Sequence, residues 1–404
     1  MEQSAETLTG EVQNTVLALL RSSLWGIERF PFESLPGINW KNVYTELHNQ
    51  AVAPLCADLL GDIDPENTIS YIQSAARNIR LWHDLANTQQ KLCQDLEDIG
   101  IPCVILKGSS AARYYPQPER RNMGDIDILV LPEDFDRALE YFQAHWIFDH
   151  QDPRHATFRR NQTVVELHRR FSTFRSQELR DFLDNAIYND VKNNLTCTLG
   201  RYTFPTLSKK TNGLVLLTHI NSHMEKGLGF RQIIDWMMYV DKELDDNVWH
   251  REFAEAARYM RLEKLAVTVT RMCQMYLGLR EDITWCKGAD EELCKDLLEH
   301  TFRQGNFGRK LPRNIGRAVG VLSTTRNIPG FFREMQRRGM ITWPAAQKHR
   351  ILRPFAWLYQ IFRYIRLGFQ KKNPLRYAMQ AIKSEKTQGS LLDRLEVSRM
   401  NNDL

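Results

Sequence analysis

The chain lacks the long apolar runs and cysteine patterns that mark several common protein classes. No window reaches the roughly 18 uninterrupted apolar residues that a membrane-spanning helix needs. The first residues, MEQSAETLTGEVQNTVLALL, show no basic segment followed by an apolar one. The seven cysteines form no CxxC pair and no zinc-finger spacing. We therefore predict no signal peptide, no membrane span, and reduced cysteines in a cytoplasmic protein.

Internal repeats, low-complexity segments and the signature motifs of common RNA-binding modules are also missing. The 404 residues are 43% hydrophobic and 25% charged, which is typical of a soluble globular protein with two or three domains. The chain is thus long enough to bury a large core.

Acidic residues are scarce near the C-terminus. Residues 301–404 hold 21 Lys and Arg but 5 Asp and Glu, whereas the rest of the chain holds 33 and 44. Such a basic block attracts nucleic acid, anionic lipid or an acidic partner, or docks on the acidic remainder of the chain. Residues 351–369 are predicted to form an amphipathic helix that contacts a membrane surface, a partner or the protein itself, with docking slightly preferred. Its apolar stripe consists of Ile351, Phe355, Leu358, Phe362 and Ile365.

Apolar spacing predicts helices on both sides of a short β-rich region. Intervals of three and four indicate helices over residues 11–100 and again from residue 207. Between them, CVILKG and DIDILV are predicted strands, SSAARYY a helical turn or two, and PEDFDRALEYFQAH a helix beginning at Pro132. ATFRRN and TVVELHRRF are predicted to form a hairpin across residues 161–162. IPGFF and ITWPAAQ are predicted loops.

Two aspartates interrupt the apolar strand DIDILV. Residues i and i+2 of a strand point to the same side, so Asp125 and Asp127 point together while Ile126 faces the layer behind. Two close carboxylates repel each other unless a cation lies between them or one takes up a proton. Oxygen ligands on a strand suit Mg²⁺ or Mn²⁺. The structural alternative is a solvated salt-bridge cluster with Arg120 and Arg121.

A phosphate-binding element is predicted just upstream of the aspartates. LKGSS ends a strand at Gly108 and opens a helix at Ser109, so backbone N–H groups and the Ser hydroxyl can face an anion. Lys107 supplies charge, and Arg121 can hold a phosphate through two parallel hydrogen bonds. Glu166, on the polar face of TVVELHRR, would be a third carboxylate and complete a site for two metal ions.

These residues carry a resemblance. Gly108-Ser109, then Asp125-Ile126-Asp127, then Glu166 resemble the signature of the nucleotidyltransferase superfamily that shares the fold of DNA polymerase β. LKGSSAARYYPQPERRNMGDIDILV followed by VVELHRRF is similar, more narrowly, to the "uncharacterised nucleotidyltransferase" family of bacterial proteins. The family's motifs correspond here to Leu106-Lys107-Gly108, Tyr115-Pro116, Arg121, Asp125-Ile126-Asp127 and Glu166-Leu167-His168. The 15 residues between Ser109 and Asp125 form a longer loop than is usual in the superfamily.

The resemblance extends over residues 101–278 and implies four accessory residues. LVLLTHINSHMEKGLGFRQIIDWMMYV resembles a helical segment of the family with two histidines, an arginine and an aspartate, here His219, His223, Arg231 and Asp235. Histidines four apart on a helix can bind a metal ion, but a structural role, bonding Asp235 or backbone, is preferred. Arg231 is predicted to pair with Asp235 or to reach a phosphate. His168 orients Glu166, contacts a phosphate, or is structural.

The resemblance implies an α+β fold with a small mixed β-sheet. The predicted segments are an N-terminal helical region (1–100), a nucleotidyltransferase core (101–206), a helical domain (207–300) and a basic helical tail (301–404).

The implied activity is metal-dependent transfer of a nucleoside monophosphate from an NTP to an unidentified hydroxyl or phosphate acceptor, with release of pyrophosphate. The acceptor is a small molecule, a protein or an RNA. The implied catalytic residues and ligands of Mg²⁺ (or Mn²⁺) are Asp125, Asp127 and Glu166, and the implied nucleotide-binding residues are Lys107, Gly108, Ser109 and Arg121. Two rival hypotheses are a non-catalytic nucleotide-binding or scaffold protein of the same fold, and an RNA-binding protein that acts through the basic tail.

Overall fold

A five-stranded mixed β-sheet with helices packed on both faces is the central feature of the computed structural model. The structure describes residues 2–26, 38–310, 342–369 and 390–397, together with six residues between 332 and 340. Its strands are β1 (Cys103–Ile105), β2 (Ile126–Val130), β3 (Ile147–Gln151), β4 (His155–Arg160), β5 (Thr163–His168), β6 (Thr196–Leu199) and β7 (Tyr202–Pro205).

Helices make up most of the remaining described chain. They are α1 (Glu2–Trp25), α2 (Trp40–Asn49), α3 (Ala57–Ile63), α4 (Thr68–Asp98), α5 (Ser109–Ala112), α6 (Phe135–His145), α7 (Gln177–Asn193), α8 (Lys209–Lys226), α9 (Phe230–Glu243), α10 (Asp246–Val248), α11 (Ala254–Tyr259), α12 (Glu263–Leu277), α13 (Glu291–Gln304), α14 (Pro344–Lys348) and α15 (Ala356–Phe369). Short 3-10 or π turns lie at Ala53–Cys56, Pro65–Asn67, Pro118–Arg120, Trp249–Phe253, Asn306–Gly308 and Arg350–Phe355.

The predicted α+β class is confirmed, and so is the hairpin, since β4 and β5 pair antiparallel around residues 161–162. Two local predictions are wrong. The helix α6 begins at Phe135 rather than Pro132, because the N–H of Asp134 donates to the carbonyl of Leu131 and closes a turn first. ITWPAAQ is not all loop, since Pro344, which suits a first helical position, starts α14. Except for its last residue, IPGFF lies outside the described residues.

The strand order β1-β2-β5-β4-β3 combines one parallel pair with three antiparallel pairs. The parallel pair is β2 with β5, and its register places Asp127 beside Glu166. On the other side of β5, the antiparallel register places His155 opposite His168. Side chains at paired positions share a face of a sheet, so three strands contribute polar side chains to one face.

The two faces of the sheet belong to different hydrophobic cores. Ile126 and Ile128 of β2 and Leu167 of β5 pack with side chains of α4 and α6. Leu129, on the opposite face of β2, joins a larger core that includes α1, α8, α9, α12 and α13. Each fully buried side chain of this kind contributes about 1.5–3 kcal/mol relative to exposure. The polar face of the sheet is thereby held toward α8 and α9.

The helices α8 and α9 pack closely at Gly213. A Cβ atom at this position would lie 2.4 Å from the ring of Tyr239, whose side chain is buried. The connection that follows α8 is equally tight, because a Cβ on Gly227 would lie 1.9 Å from the backbone nitrogen of Gly308. The carbonyl of Gly227 accepts the N–H of Phe307 at 3.0 Å. This close approach fixes the ring of Phe307 beside the helix pair.

The described parts of the tail differ in their contacts. Leu391, Leu392 and Leu395 are buried in the larger core, and Arg394 forms ion pairs with Asp290 and Asp296. This segment therefore docks on the acidic remainder of the chain.

In the stripe of residues 351–369, the four described side chains are all exposed, namely Ile351, Phe355, Leu358 and Phe362; the side chain of Ile365 lies outside the described residues. A surface contact through this stripe, like the division into four segments, stays a prediction. Of the helices in the described part of the chain, none has both the length and the hydropathy that crossing a bilayer requires.

We expect Gly213→Ala to lower the free energy of unfolding by about 1–2 kcal/mol, because overpacking against Tyr239 outweighs the better helix propensity of Ala. The matched control is Gly10→Ala in α1, where no atom lies within 4 Å of the added Cβ. It should raise stability by up to about 1 kcal/mol. Urea denaturation measures both changes, and equal effects would contradict the close packing of α8 on α9.

Candidate functional site

A cleft of about 240 Å³ lies between the polar face of the sheet and the helices α8 and α9. It collects most of the residues that the sequence singled out, namely Lys107, Gly108, Arg121, Asp125, Asp127, Glu166, His168, His223 and Arg231. Two predicted site residues, Ser109 and Asp235, do not line it.

Three carboxylates meet on the sheet side of the cleft. Asp127 on β2 and Glu166 on β5 are side by side in the parallel register, and Asp125 precedes β2 directly. The side chain of Asp127 is 3% exposed and that of Glu166 is 27% exposed. The carboxylates thus differ in solvent exposure, with Asp127 almost fully buried and Glu166 accessible to solvent.

Two side-chain cations partly balance these carboxylates. The Nζ of Lys107 lies 2.9 Å from Oδ1 of Asp127. The Nε2 of His168 lies 3.1 Å from the same oxygen and 3.3 Å from Oε2 of Glu166. The salt-bridge cluster with the two preceding arginines does not form, because Arg120 binds Asp58 and Arg121 binds a residue of α9.

The pKa values of the carboxyl groups move apart. Burial alone would raise the pKa of Asp127, but Lys107 and His168 outweigh it and hold that pKa far below its usual range. Burial and the charge of Asp127 would raise the pKa of Glu166, but His168 and Lys107 together outweigh them and lower it. Burial and the charge of Asp127 raise the pKa of Asp125. Asp125 is therefore the carboxylate whose negative charge is least neutralised by the neighbouring side chains.

The pKa values of the basic groups reflect the same contacts. Burial would lower the pKa of Lys107, yet the charges of Asp127, Asp125 and Glu166 raise it. Burial also opposes charging of His168, but its hydrogen bonds to Asp127 and Glu166 raise its pKa to about 9. Both groups carry a positive charge at neutral pH. On the sheet side of the cleft, three carboxylates against two cations leave an excess negative charge, which suits a divalent ion.

The turn before α5 has the predicted position but not all the predicted contacts. Gly108 adopts a φ of +57°, which favours glycine, and a Cβ there would lie 3.2 Å from the methyl group of Met123. The hydroxyl of Ser109 is buried and donates to Oε1 of Gln89 at 3.0 Å. It faces α4 and not the cleft, so the prediction that this hydroxyl binds phosphate does not fit the structure.

Arg121 has a different partner from the one predicted. Its Nε and Nη2 donate to the two oxygens of Asp235, each at 2.6 Å, and the hydroxyl of Tyr115 donates to Asp235 as well. No hydrogen bond or ion pair joins Arg231 to Asp235 in the described part of the chain, so the expected pairing of these two residues is wrong. The guanidinium of Arg121 is used to tie the segment before Asp125 to α9.

Arg231 is a cation without an ion-pair partner among the described residues. Its Nη1 lies 3.5 Å from the carbonyl of Asn122, and its guanidinium lies 5.4 Å from the ring centre of Phe307. Its Nε is buried and has no hydrogen-bond partner in the described part of the chain. Burial and the charge of Arg121 lower its pKa. The cleft therefore holds a guanidinium whose hydrogen-bonding capacity is largely unused.

The two histidines of α8 bind each other. Their Nε2 atoms lie 2.9 Å apart, and Nδ1 of His223 lies 3.2 Å from the carbonyl of Gly227. Burial and the charge of His223 lower the pKa of His219 well below its usual value, so His219 is neutral. The backbone bond agrees with the structural role preferred from the sequence, whereas the predicted bond to Asp235 does not appear among the described contacts. Both histidines nevertheless line the cleft.

His155 and Phe307 also line the cleft, and the sequence did not single them out. For His155 a signal existed, because extending the predicted hairpin register from residues 161–162 places it opposite His168. The position of Phe307 depends on the tertiary approach of the turn at residues 306–308 to α8, for which there is no local signal. His155, Glu166 and His168 each offer a ligand atom, all within 4.8 Å of one another, so they can hold a metal ion.

Comparison with known proteins identifies the family. Residues 36–278 match the family described as "Uncharacterised nucleotidyltransferase". The match begins before the quoted motifs and includes helices of the N-terminal region, while no curated protein matches the chain. Such a family implies transfer of a nucleotidyl group from an NTP. Because the match covers more than half of its 404 residues, this chain belongs to the uncharacterised nucleotidyltransferase family.

Proposed function

We propose that this protein transfers a nucleoside monophosphate from an NTP to a hydroxyl or phosphate group of an acceptor and releases pyrophosphate. The observation that carries the proposal is the convergence of Asp125, Asp127 and Glu166 in one cleft with Lys107 and Arg231. Carboxylates on one side of a cleft and the guanidinium of Arg231 on the other suit a metal-bound triphosphate, which presents positive and negative charge together. We also propose that the nucleotidyltransferase core shares the fold of DNA polymerase β.

In this proposal Asp125, Asp127 and Glu166 hold Mg²⁺ or Mn²⁺. The fit rests on the donor set, which is three hard oxygen ligands with more negative charge than Lys107 and His168 neutralise. When bound, such ions activate an attacking oxygen and neutralise charge on the triphosphate. Glu166 is more accessible than Asp127 and is assigned to the acceptor side, where it orients the attacking group.

The nucleotide-binding role falls on fewer residues than the sequence suggested. Lys107 contributes charge, and the turn at Gly108 brings backbone close to the cleft. Arg231, with its free hydrogen-bonding capacity, is assigned to a phosphate of the NTP. Arg121 is assigned a positioning role, because its guanidinium already forms a bidentate ion pair with Asp235. His168 is assigned to orient the carboxylates of Asp127 and Glu166. His223 is assigned to stabilise the C-terminal end of α8 through the carbonyl of Gly227.

We expect Asp127→Asn to reduce transfer by more than about 100-fold, since even residues behind a metal ligand contribute that much. The assay incubates the protein with α-labelled NTPs, Mg²⁺ and cell extract, and follows labelled product and pyrophosphate. Asp84→Asn, an exposed aspartate of α4, is the matched control and should retain full activity.

An Asp127→Asn variant that is folded and fully active would contradict the assignment. Titration of the wild-type protein with an NTP gives a separate readout. Metal-dependent binding with no transfer to any component of the extract would favour the non-catalytic nucleotide-binding protein instead.

We expect Arg231→Met to weaken NTP binding by about 10–100-fold, because charge-assisted hydrogen bonds contribute about 1.5–3 kcal/mol each. The melting temperature should stay the same or rise, since the variant no longer buries an unpaired guanidinium. Calorimetric titration and thermal denaturation measure the two effects, with the exposed Arg80→Met as control. A lower melting temperature with unchanged NTP binding would assign Arg231 a structural role.

We expect Asp235→Ala to lower the free energy of unfolding by about 3–5 kcal/mol, because it leaves Arg121 buried without its partner. The double variant Arg121→Met/Asp235→Leu should recover a large part of that loss. Urea denaturation of the single and double variants provides the comparison. If Arg121→Met weakens NTP binding without loss of stability, Arg121 binds phosphate after all.

A further inference from the structure

A pair of stacked histidines lies beside the carboxylates on the sheet side of the cleft. His155 begins β4 and His168 ends β5, and the antiparallel register sets them opposite each other. Their ring centres are 5.0 Å apart with an interplanar angle of 27°. Both residues are buried, and both line the cleft. The first residue of the hairpin, His155, therefore lies beside its last residue, His168.

Glu166 lies between the two imidazoles. Its Oε2 is 3.3 Å from Nε2 of His168, and its Oε1 is 3.9 Å from Nε2 of His155. The three ligand atoms lie within 4.8 Å of one another. Ligand atoms about 2.0–2.2 Å from one ion lie about 3–4 Å apart, so small side-chain rotations bring the set to bonding distance.

A carboxylate stands behind the first of these histidines. The Oδ1 of Asp152 lies 3.2 Å from Nδ1 of His155. The same oxygen accepts the backbone N–H groups of Arg154 at 2.7 Å and of His155 at 2.9 Å, which fixes its position. The contact of Asp152 with Nδ1 of His155 has an ion-pair distance without hydrogen-bond alignment. A carboxylate in this position accompanies metal-binding histidines. It leaves Nε2 of His155 directed at Glu166.

We propose that His155, Glu166 and His168 form a mixed nitrogen and oxygen site for a divalent first-row transition-metal ion, next to the carboxylates of Asp125 and Asp127. When the ion binds, Nε2 of His168 releases to solvent the proton that it shares with these carboxylates in the metal-free protein. Imidazole nitrogen suits transition metals, whereas Mg²⁺ takes oxygen ligands almost exclusively. The protein therefore binds Mn²⁺ more tightly than Mg²⁺ at this position. As a statement about which metal serves the transfer, the inference rests on the proposed function; as a statement about binding, it stands alone.

The test uses the full-length protein after removal of bound metal by a chelator. One equivalent of Mn²⁺ is added, and pulsed electron paramagnetic resonance detects coupling to ¹⁴N nuclei of coordinated imidazole. Calorimetric titration with Mn²⁺ and with Mg²⁺ gives the two affinities. We expect ¹⁴N coupling in the wild-type protein and tighter binding of Mn²⁺. Absence of ¹⁴N coupling overturns the inference whatever the variants do.

Two variants separate a ligand from a packing residue. His155→Phe keeps a ring against His168 but removes the ligand, so Mn²⁺ affinity should fall by at least about 10–100-fold and Mg²⁺ affinity should not change. The matched control is His250→Phe, an exposed histidine in the turn Trp249–Phe253, which should leave both affinities unchanged. If His155→Phe fails to fold, Asp152→Asn should still weaken Mn²⁺ binding. Unchanged Mn²⁺ affinity in a folded His155→Phe protein contradicts the site.

The outcome is separable from that of the proposed function. Mg²⁺-supported transfer that depends on Asp127, in a protein without ¹⁴N coupling, would uphold the transfer and reject the mixed site. Nitrogen-coordinated Mn²⁺ in a protein that transfers no label from any NTP would uphold the site and reject the transfer.

Discussion

The parallel pairing of β2 with β5 is the constraint on which the rest of the site depends. It places Asp127 beside Glu166 by backbone hydrogen bonding, and Asp125 precedes the same strand. Carboxylates fixed in this way cannot relieve their repulsion by moving apart, so cations must compensate it. Lys107 and His168 supply part of that compensation, which explains both the high pKa of His168, about 9, and the low pKa of Asp127. Charge still in excess is what makes the site suited to a divalent ion.

The opposite side of the cleft carries a positive charge that no carboxylate in the described part of the chain neutralises. There α9 presents Arg231, which has no ion-pair partner among the described residues, and Phe307 lies against its guanidinium. The cation is kept available because Asp235, one turn further along α9, is already occupied by Arg121. A single buried ion pair thus joins the segment before Asp125 to the helix that carries the free guanidinium. Carboxylates on the sheet and a guanidinium on the helix complement the two charges of a metal-bound triphosphate.

The sequence allowed prediction of what depends on local spacing, and little of what depends on tertiary contacts. Alternating apolar residues and a two-residue turn were enough for the hairpin of β4 and β5. The strand β3 was missed because all five of its residues are exposed, so it has no apolar alternation. Helical spacing suggested that Arg231 pairs with Asp235, but a stronger bidentate partner arrives from a distant loop. Ser109 occupies the predicted turn, yet its hydroxyl faces Gln89 of α4, a contact that no local pattern indicates.

The depth of the carboxylates distinguishes an enclosed end of the cleft from an open one. Asp127 is almost fully enclosed and lies against Lys107, whereas more than a quarter of the Glu166 side chain is exposed. In the proposed function the triphosphate takes the enclosed end, because electrostatic interactions strengthen as water is excluded. In the proposed transfer, the acceptor reaches the transferred phosphorus from the open side, where Glu166 lies. The hairpin that carries Glu166 also carries His155 and His168, so the metal environment and the access of the acceptor are set by the same element. Under the proposed function, changes in that hairpin should alter metal preference and acceptor selection together and leave the phosphate-binding role proposed for Arg231 on α9 intact.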